Sequence, residues 1–325
     1  MKVLGIGNAL LDVLLRIEND NTLAEIGIQK GAMDLIQEDQ MRAIHRAQAG
    51  LLRNEAPGGS VCNTMRAMAC LGAEAGYIGK VGTDANGAFY EQAIRKAGVT
   101  PHIVRTEGIT GCCTVLISPD GERTMATFLG PAATLSASEI SDDLFDGYAC
   151  LYIEGYLISN DALFLPILQR AKNAGLKIAL DLSNFNIVNG YKGLLSEVIP
   201  RYVQILFSNE IEAAAYTGLN AEEAARMISK QIEVSVVTVG KRGAFVGCSG
   251  ESIAIPATGR KPVDTTGAGD HFAAGFLFGL SQKTTLCRAA QIGSLLAGHV
   301  IETVGPQIPD ELWSQIKLKV EKMSI

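Results

Sequence analysis

Short apolar runs rich in Val, Ile and Leu alternate along the chain with longer segments of helical period. Near-continuous apolar runs are typical of strands that are buried on both faces of a parallel sheet. The predicted strands are VLGIGNA (3–9), EAGYIGKVG (74–82), ACLYIEGYL (149–157), LKIALDLS (176–183), VQILFSN (203–209) and VSVVTVG (234–240). The predicted helices are 60–71, 86–97, 161–174, 210–217, 221–230, 268–281 and 285–301. This alternation predicts an α/β fold in which helices cover both faces of the sheet.

Two stretches, residues 11–37 and 103–130, interrupt this alternation. In the second stretch, the extended segments GCCTVLIS and RTMATFLG flank the sequence PDGE at 119–122, which is a strong hairpin signal. We therefore expect a small antiparallel sheet appended to the main body. No internal repeat or linker divides the chain, so we expect a single domain over residues 1–325.

The amino-acid composition restricts the kinds of molecule that this protein is expected to bind. The 325 residues are 47% hydrophobic and 19% charged, which is enough apolar surface for a large core. The net charge of −6 disfavours nucleic acid as a partner, because nucleic-acid-binding domains usually carry a basic excess.

No apolar run reaches the ~20 residues of a membrane span. The chain starts with an apolar segment, but Asp12 interrupts it, and we interpret this segment as a buried first strand. Seven cysteines without CxxC spacing favour reduced thiols in a cytoplasmic protein.

The strongest chemical signal is DTTGAGDHFAAG at 264–275. Gly267, Ala268 and Gly269 lead into an apolar helix, and the bare N–H groups at such a helix start bind anions. Asp270 would lie in the first turn beside the anion, where a carboxylate can remove a proton from an attacking hydroxyl. The alternative is a plain helix start in which Asp270 complements the helix dipole.

A second glycine turn, PGGSVCNT at 57–64, also enters a helix. Gly58 and Gly59 would let a polyhydroxylated ligand lie against the backbone, and Asn63 would exchange hydrogen bonds with it. A loop capped by Ser60 is the alternative. Asp12 lies in an apolar strand, where a buried carboxylate needs donors that a ligand diol would supply; a strand end or bulge is the alternative.

Two further segments follow predicted strands. Asn209 and Glu212 share one helix face, where an amide and a carboxylate can orient water around Mg²⁺. The same pair also suits a helix capping box, and the two roles can coexist.

Another predicted strand ends in a turn that contains Thr238, Gly240 and Gly243. This turn would bind the phosphates or the ribose of a nucleotide, and a solvated turn is the alternative.

Together these residues resemble the ribokinase/phosphofructokinase-B (PfkB) family of small-molecule kinases over essentially the whole chain. The two family signatures are similar to residues 58–63 and 264–270, in this order and about 200 residues apart. The resemblance implies a ribokinase-like three-layer α/β/α sandwich with a mainly parallel central sheet and a small β-sheet lid. The lid would be contributed by roughly 11–37 and 103–130.

The resemblance also implies a role for each candidate residue. An anion hole at Gly267, Ala268 and Gly269 would accompany Asp270 as the general base. Asn209 and Glu212 would hold Mg²⁺ through water, and some family members bind a monovalent cation such as K⁺ near Asp264, Thr266 and the 303–305 turn. The implied nucleotide-binding residues are Asn209, Thr238, Gly240, Gly243, Thr266, Gly267 and Gly269. The implied substrate-binding residues are Asn8, Asp12, Gly58, Gly59, Asn63 and Tyr156.

Within the family, GNALLD at 7–12 resembles the adenosine kinases. Tyr156 lies where those enzymes often carry an aromatic residue that stacks on a base, and Phe185 is a second candidate. The expected activity is transfer of the γ-phosphoryl group of ATP, with Mg²⁺, to a primary hydroxyl of an adenosine-like nucleoside. Ala9 and Thr266 depart from the proline and asparagine common there, and many sugar kinases of this superfamily share the same frame.

Three alternatives therefore stay open. The first is a sugar or sugar-acid kinase of the ribokinase, fructokinase or 2-keto-3-deoxygluconate kinase type. The second is a non-catalytic sugar or nucleoside sensor on the same fold, and the third is a nicotinamide-dependent oxidoreductase. In each case the partner would be a small molecule, and we expect a monomer or a homodimer.

Overall fold

The computed structural model describes residues 1–47 and 53–324, whose strands form two separate sheets. The strands are β1 (Val3–Ile6), β2 (Leu10–Arg16), β3 (Met33–Leu35), β4 (Arg53–Gly58), β5 (Ala75–Gly82), β6 (Thr100–Thr106), β7 (Cys112–Ile117), β8 (Arg123–Phe128), β9 (Cys150–Glu154), β10 (Lys177–Asp181), β11 (Ile205–Asn209), β12 (Val234–Thr238), β13 (Ala244–Cys248) and β14 (Glu251–Ile255). The helices are α1 (Asn21–Glu25), α2 (Glu38–Ala47), α3 (Ser60–Leu71), α4 (Ala85–Lys96), α5 (Phe164–Asn173), α6 (Phe185–Tyr202), α7 (Glu210–Thr217), α8 (Ala221–Ile228), α9 (Ala268–Ser281), α10 (Leu286–Val300) and α11 (Trp313–Ser324).

The larger sheet has the strand order β14-β13-β12-β11-β10-β9-β1-β5-β6. The strands from β12 to β6 are all parallel, and β13 and β14 add an antiparallel edge. The chain begins in the middle at β1, moves to β5 on one side and later to β9 on the other. Strand order therefore reverses between β1 and β9. In open α/β sheets, ligands bind in the crevice at the carboxyl ends of the strands at such a point.

Helices cover both faces of this sheet, which confirms the three-layer sandwich. On one face, α3, α9, α10 and α11 bury a core that includes Met65, Phe276 and Ile316. On the other, α5 and α6 bury a core that includes Ile167 and Val198. Both cores pack against apolar strand residues, because strands covered on two faces carry apolar side chains at successive positions.

Three helices, α3, α7 and α9, have the predicted bounds, whereas α1, α2, α6 and α11 were not predicted. The long helix α6 contains a kink at Tyr191, whose φ of −122° and ψ of 22° are not helical. Gly190 and Gly193 lie on either side of this kink. They break the apolar period that would have indicated a helix.

The smaller sheet has the order β3-β8-β7-β2-β4, and we call it the lid sheet. The predicted second sheet and its hairpin, the antiparallel pair β7–β8, are confirmed. The prediction that the sheet is antiparallel throughout was wrong, because β2 pairs with β7 and β3 pairs with β8 in parallel, while β2 and β4 are antiparallel. Strand β4 lies outside the predicted ranges, and residues 103–106 belong to β6 of the larger sheet. The predicted strand 3–9 ends at Ile6, and the chain then enters the lid sheet as β2.

One face of the lid sheet is apolar and packs on α2, through Leu11, Val13, Met41 and Ile44. Side chains alternate across a strand, so Asp12 points to the opposite face, where Asp270 and Arg66 are among its charged neighbours. Within the described ranges, no helix combines the length and apolar character needed to cross a membrane.

Candidate active site

The glycine turn before α3 is held by backbone geometry that only glycine tolerates. Gly59 has a φ of 93°, and an added Cβ there would overlap the Asn8 carbonyl oxygen. The buried Tyr90 hydroxyl donates a hydrogen bond to the Gly58 carbonyl oxygen at 3.0 Å. These contacts direct the first turn of α3 toward the start of α9.

Asp270 receives two side-chain hydrogen bonds from α3. The Ser60 hydroxyl donates to Oδ1 at 2.7 Å, and Asn63 Nδ2 donates to Oδ2 at 2.9 Å. The Thr64 hydroxyl donates to the Asp270 carbonyl oxygen at 3.1 Å. Burial raises the pKa of Asp270, while the bonds from Ser60 and Asn63 oppose the rise. The two predicted signatures therefore meet at one carboxylate, and each oxygen keeps a lone pair for a ligand.

The start of α9 offers unused backbone donors. Gly267 has a φ of 76° and precedes the helix, and an added Cβ would lie 2.9 Å from the Pro306 side chain. Within the described chain, the N–H groups of Gly269 and Asp270 have no acceptor, whereas Ala268 N–H donates to a carbonyl of the preceding turn. Free N–H groups at a helix N-terminus suit a phosphate group, so this turn fits the predicted anion hole.

Two acceptors near Asp270 lack donors. No described residue donates a hydrogen bond to Asp12, and an added Cβ at Gly58 would overlap its carboxylate. Burial, followed by the charge of Asp270, raises the pKa of Asp12 to about 7, while Arg66 opposes the rise. Among the described residues, Asn63 Oδ1 is also buried without a partner. A ligand that donates several hydroxyl hydrogen bonds would satisfy both groups.

Glu154 is a site residue that the sequence analysis missed. It ends β9 and lies next to Asn8, which follows β1, at the point where strand order reverses. Glu154 Oε1 accepts from Asn8 N at 2.9 Å and from Asn8 Nδ2 at 2.8 Å, and Oε2 accepts from Val61 N at 3.3 Å. Burial raises the pKa of Glu154 to about 7, although these bonds oppose the rise. The sequence does contain a signal for Glu154, because it is a lone carboxylate within the apolar run 149–157. The same kind of pattern identified Asp12 as a candidate.

Tyr156 lies in the short 3-10 turn Gly155–Ser159, directly after Glu154. Its half-buried ring is held by its hydroxyl, which donates to the Ser183 carbonyl oxygen at 3.3 Å. Burial raises the pKa of Tyr156, and the charges of Glu154 and Asp181 raise it further, so the phenol lies near both carboxylates. Phe185 is 43% exposed at the start of α6. Tyr156 is thus the better placed of the two aromatic candidates.

Asn209 and Glu212 form a complete capping box at the start of α7. Asn209 N donates to Glu212 Oε2 at 2.8 Å, and Glu212 N donates to Asn209 Oδ1 at 2.9 Å. Asn209 Nδ2 also donates to Glu212 Oε1 at 2.7 Å. Burial raises the pKa of Glu212. The cap is an observed property of this pair, while its role toward Mg²⁺ stays a prediction.

The predicted nucleotide turn follows β12, which pairs with β11 so that Thr238 lies beside Asn209. Gly240 and Gly243 have φ values of 55° and 98°, and an added Cβ at Gly243 would overlap the Ile255 carbonyl oxygen. The turn therefore lies at the same carboxyl edge of the sheet as Asn209. In the part of the chain that the structure describes, no hydrogen bond joins this turn to Asp270, and its role toward a nucleotide stays a prediction.

Arg123, from strand β8 of the lid sheet, is a second residue that the sequence analysis missed. Its Nη2 forms an ion pair with Asp264, and its Nη1 donates to the Thr266 hydroxyl oxygen at 2.7 Å. Asp264 also accepts from Thr266 N at 3.0 Å and from Gly305 N at 2.5 Å. The lid sheet therefore contacts the turn that precedes α9. The hairpin was predicted, but no local pattern indicated which loop Arg123 would contact.

Residues 33–313 match the pfkB family carbohydrate kinases. The chain belongs to this family. It is therefore a phosphotransferase that acts on an alcohol group, and kinases of this family use ATP, usually with Mg²⁺. The resemblance drawn from the two sequence signatures is confirmed.

Individual relatives agree with this assignment. The chain is 32% identical over 284 residues to an adenosine kinase of Saccharomyces cerevisiae, covering 80% of this chain and 82% of that one. The structure of adenosine kinase from Sinorhizobium meliloti superposes with a TM-score of 0.87 at 32% identity and covers 98% of this chain and 99% of that chain. A probable sugar kinase from Rhizobium etli gives a TM-score of 0.88, also at 32% identity, with 98% of both chains covered. These relatives confirm the ribokinase-like fold and leave open whether the acceptor is a nucleoside or a sugar.

Proposed function

We propose that this enzyme transfers the γ-phosphoryl group of ATP to a primary hydroxyl of an adenosine-like nucleoside. The observation that carries the proposal is a pair of acceptors near Asp270, the Asp12 carboxylate and Asn63 Oδ1, to which no described residue donates a hydrogen bond. A ribose ring offers two neighbouring secondary hydroxyls that can donate to these groups. Its primary hydroxyl would then lie near Asp270.

Asp270 would act as the general base. The substrate hydroxyl oxygen forms a bond to the γ-phosphorus, its proton passes to the Asp270 carboxylate, and ADP leaves with the electrons of the broken P–O bond. Ser60 and Asn63 hold the carboxylate in one orientation, and burial makes it a stronger base than an exposed aspartate. The free N–H groups of Gly269 and Asp270 would stabilise the negative charge on the transferring group.

The nucleotide would lie along the carboxyl edge of the larger sheet. We assign its phosphates and ribose to Thr238, Gly240, Gly243, Thr266, Gly267 and Gly269, together with Asn209. Mg²⁺, when bound, would neutralise phosphate charge, with its water shell oriented by Asn209 and Glu212. These residues fit that role because each Glu212 oxygen accepts one bond within the cap and keeps a further lone pair.

Two observations favour a nucleoside over a free sugar. Tyr156 lies beside Glu154 with a half-buried ring that a base can stack on, and the chain is similar over nearly its whole length to an adenosine kinase. A sugar or sugar-acid kinase is the second candidate, because the probable sugar kinase from Rhizobium etli is equally similar. The charged and complete site around Asp270 disfavours a non-catalytic sensor.

The test is a panel of acceptors assayed for ADP formation: adenosine, inosine, ribose, fructose and 2-keto-3-deoxygluconate. We expect kcat/KM to be highest for a purine nucleoside, by ~10-fold or more over ribose, which corresponds to the free energy of stacking one base. A free sugar or sugar acid at the top of the panel would contradict the nucleoside proposal and leave the role of Asp270 intact. Binding of a panel member without any ADP formation would favour the sensor.

A further inference from the structure

The region around Asp264 shows whether this chain suits the monovalent cation that some family members bind. Such a cation needs oxygen ligands that are not already paired with another positive charge. Here the Thr266 hydroxyl oxygen accepts from Arg123, and Asp264 accepts from Arg123, Thr266 N and Gly305 N. The positively charged guanidinium of Arg123 thus lies against the Asp264 and Thr266 oxygens that would ligate the cation and would repel a second positive charge there, so these residues do not fit it.

The same contacts supply the positive charge that Asp264 requires. Asp264 is 8% exposed, and a buried carboxylate needs a charged or hydrogen-bonding partner. The guanidinium of Arg123 presents two parallel N–H groups, one toward the Asp264 carboxylate and one toward the Thr266 hydroxyl. This forked geometry is a property of arginine that a spherical ion does not share.

We infer that Arg123 takes the place of the monovalent cation in this enzyme. Arg123 is a positioning residue: it holds Asp264 and Thr266, and Thr266 directly precedes Gly267 of the anion-binding turn. Arg123 belongs to strand β8, so its contacts with Asp264 and Thr266 also join the lid sheet to the anion-binding turn. The inference goes beyond the proposed function, because it concerns the turn and not the acceptor.

The first test is a K⁺ titration of the wild-type enzyme, with choline chloride replacing KCl at constant ionic strength. ADP formation is followed with the best acceptor of the panel, and thermal unfolding is followed without substrates. We expect the rate to change by less than ~2-fold and Tm to be the same in both salts. A K⁺-specific rise in Tm, or activation of ~10-fold or more, would overturn the inference. The Tm measurement needs no acceptor, so it stands even if the nucleoside proposal fails.

The second test compares Arg123→Gln with Arg105→Gln, which breaks an exposed ion pair to Glu91. Removing Arg123 leaves a buried carboxylate without its charge partner, so we expect Tm to fall by roughly 5 °C or more. K⁺, and not choline, should restore at least half of that loss, because the Asp264 oxygens are freed. The Arg105 variant should change little and should not respond to K⁺.

An Arg123→Gln variant that unfolds at the wild-type Tm, or that loses stability without responding to K⁺, would overturn the inference. Arg123→Lys keeps one positive charge and should remain insensitive to K⁺. If K⁺ raised the Tm of the lysine variant as much as that of the glutamine variant, the inference would also be contradicted. The positive charge at this position would then not be what replaces the cation. If Arg123→Gln fails to fold, the lysine variant and the wild-type titration still decide the question.

Discussion

Asn63 Nδ2 donates a hydrogen bond to Asp270 Oδ2 at 2.9 Å, across 207 residues of sequence. This bond joins the glycine turn before α3 to the turn before α9. The other polar atom of the same amide, Oδ1, is buried and has no partner in the described part of the chain. One side chain therefore holds the carboxylate in place and also leaves an acceptor for a ligand hydroxyl.

Replacing Asp270 by asparagine should lower kcat by at least ~100-fold, the lower range for general-base catalysis. Asparagine keeps the shape of the side chain and cannot take up the proton. Steady-state ADP formation measures the loss, and calorimetric titration with ATP shows whether the nucleotide still binds. The exposed Asp146→Asn serves as the matched control and should keep the wild-type rate. Wild-type kcat in Asp270→Asn would remove this residue from the mechanism.

Glu212→Gln should raise the Mg²⁺ concentration needed for half-maximal rate. Glutamine can replace glutamate in a capping box, so the free energy of unfolding should fall by no more than ~1 kcal/mol. A Mg²⁺ titration at fixed ATP and urea unfolding measure the two effects. Asn220→Ala removes the cap of α8, where Asn220 Oδ1 accepts from Glu223 N at 3.1 Å, and should lower stability without altering the Mg²⁺ dependence. Lower stability of Glu212→Gln at an unchanged Mg²⁺ midpoint would mean that the pair is only a cap.

Tyr156→Ala should lower kcat/KM for the best nucleoside by ~10-fold or more and leave any activity on ribose nearly unchanged, because a base loses its stacking partner. Tyr156→Phe removes only the hydroxyl that bonds to Ser183 and should keep the preference for the nucleoside. Phe185→Ala is a second control that removes an exposed ring. Equal losses on nucleoside and ribose in Tyr156→Ala would indicate a structural role.

The buried carboxyl of Glu154 should make stability depend on pH. Its pKa is raised from the ordinary 4.5 to about 7, chiefly by burial. Between these values the folded protein holds a proton that the unfolded chain has released, so the contribution of Glu154 to stability falls as pH rises. Relative to Glu154→Gln, the free energy of unfolding of the wild type should therefore drop by roughly 3 kcal/mol between pH 4.5 and 8.

Urea unfolding of both proteins at several pH values measures this difference. Glu91→Gln is the control. Arg105 lowers the pKa of Glu91, so the stability that Glu91 contributes is lost only at pH values below the ordinary pKa of a glutamate. The difference between wild type and the Glu91 variant should be flat from pH 5 to 8. A flat difference for Glu154 as well would show that its carboxyl titrates as an ordinary glutamate does.

Much of this protein was predictable because its signals are local. Helix α9 and the glycine turn before it follow from consecutive residues at 264–281, since a small-residue turn and an apolar period are read within one segment. The parallel strands follow likewise from apolar runs such as 203–209. Asp12 was recognisable because a carboxylate inside an apolar strand demands donors wherever that strand packs.

The contacts that complete the site were decided by the tertiary structure alone. Asn8 and Glu154 are 146 residues apart and meet because β1 and β9 are neighbours in the larger sheet, while Arg123 and Asp264 are 141 apart and meet because the lid sheet lies over the turn before α9. Strand order and the docking of one sheet on another depend on how separate apolar surfaces pack together. No local pattern of residues carries that information. Local patterns specify most of the strands and helices and the chemistry of each motif, whereas packing decides which side chains share a site.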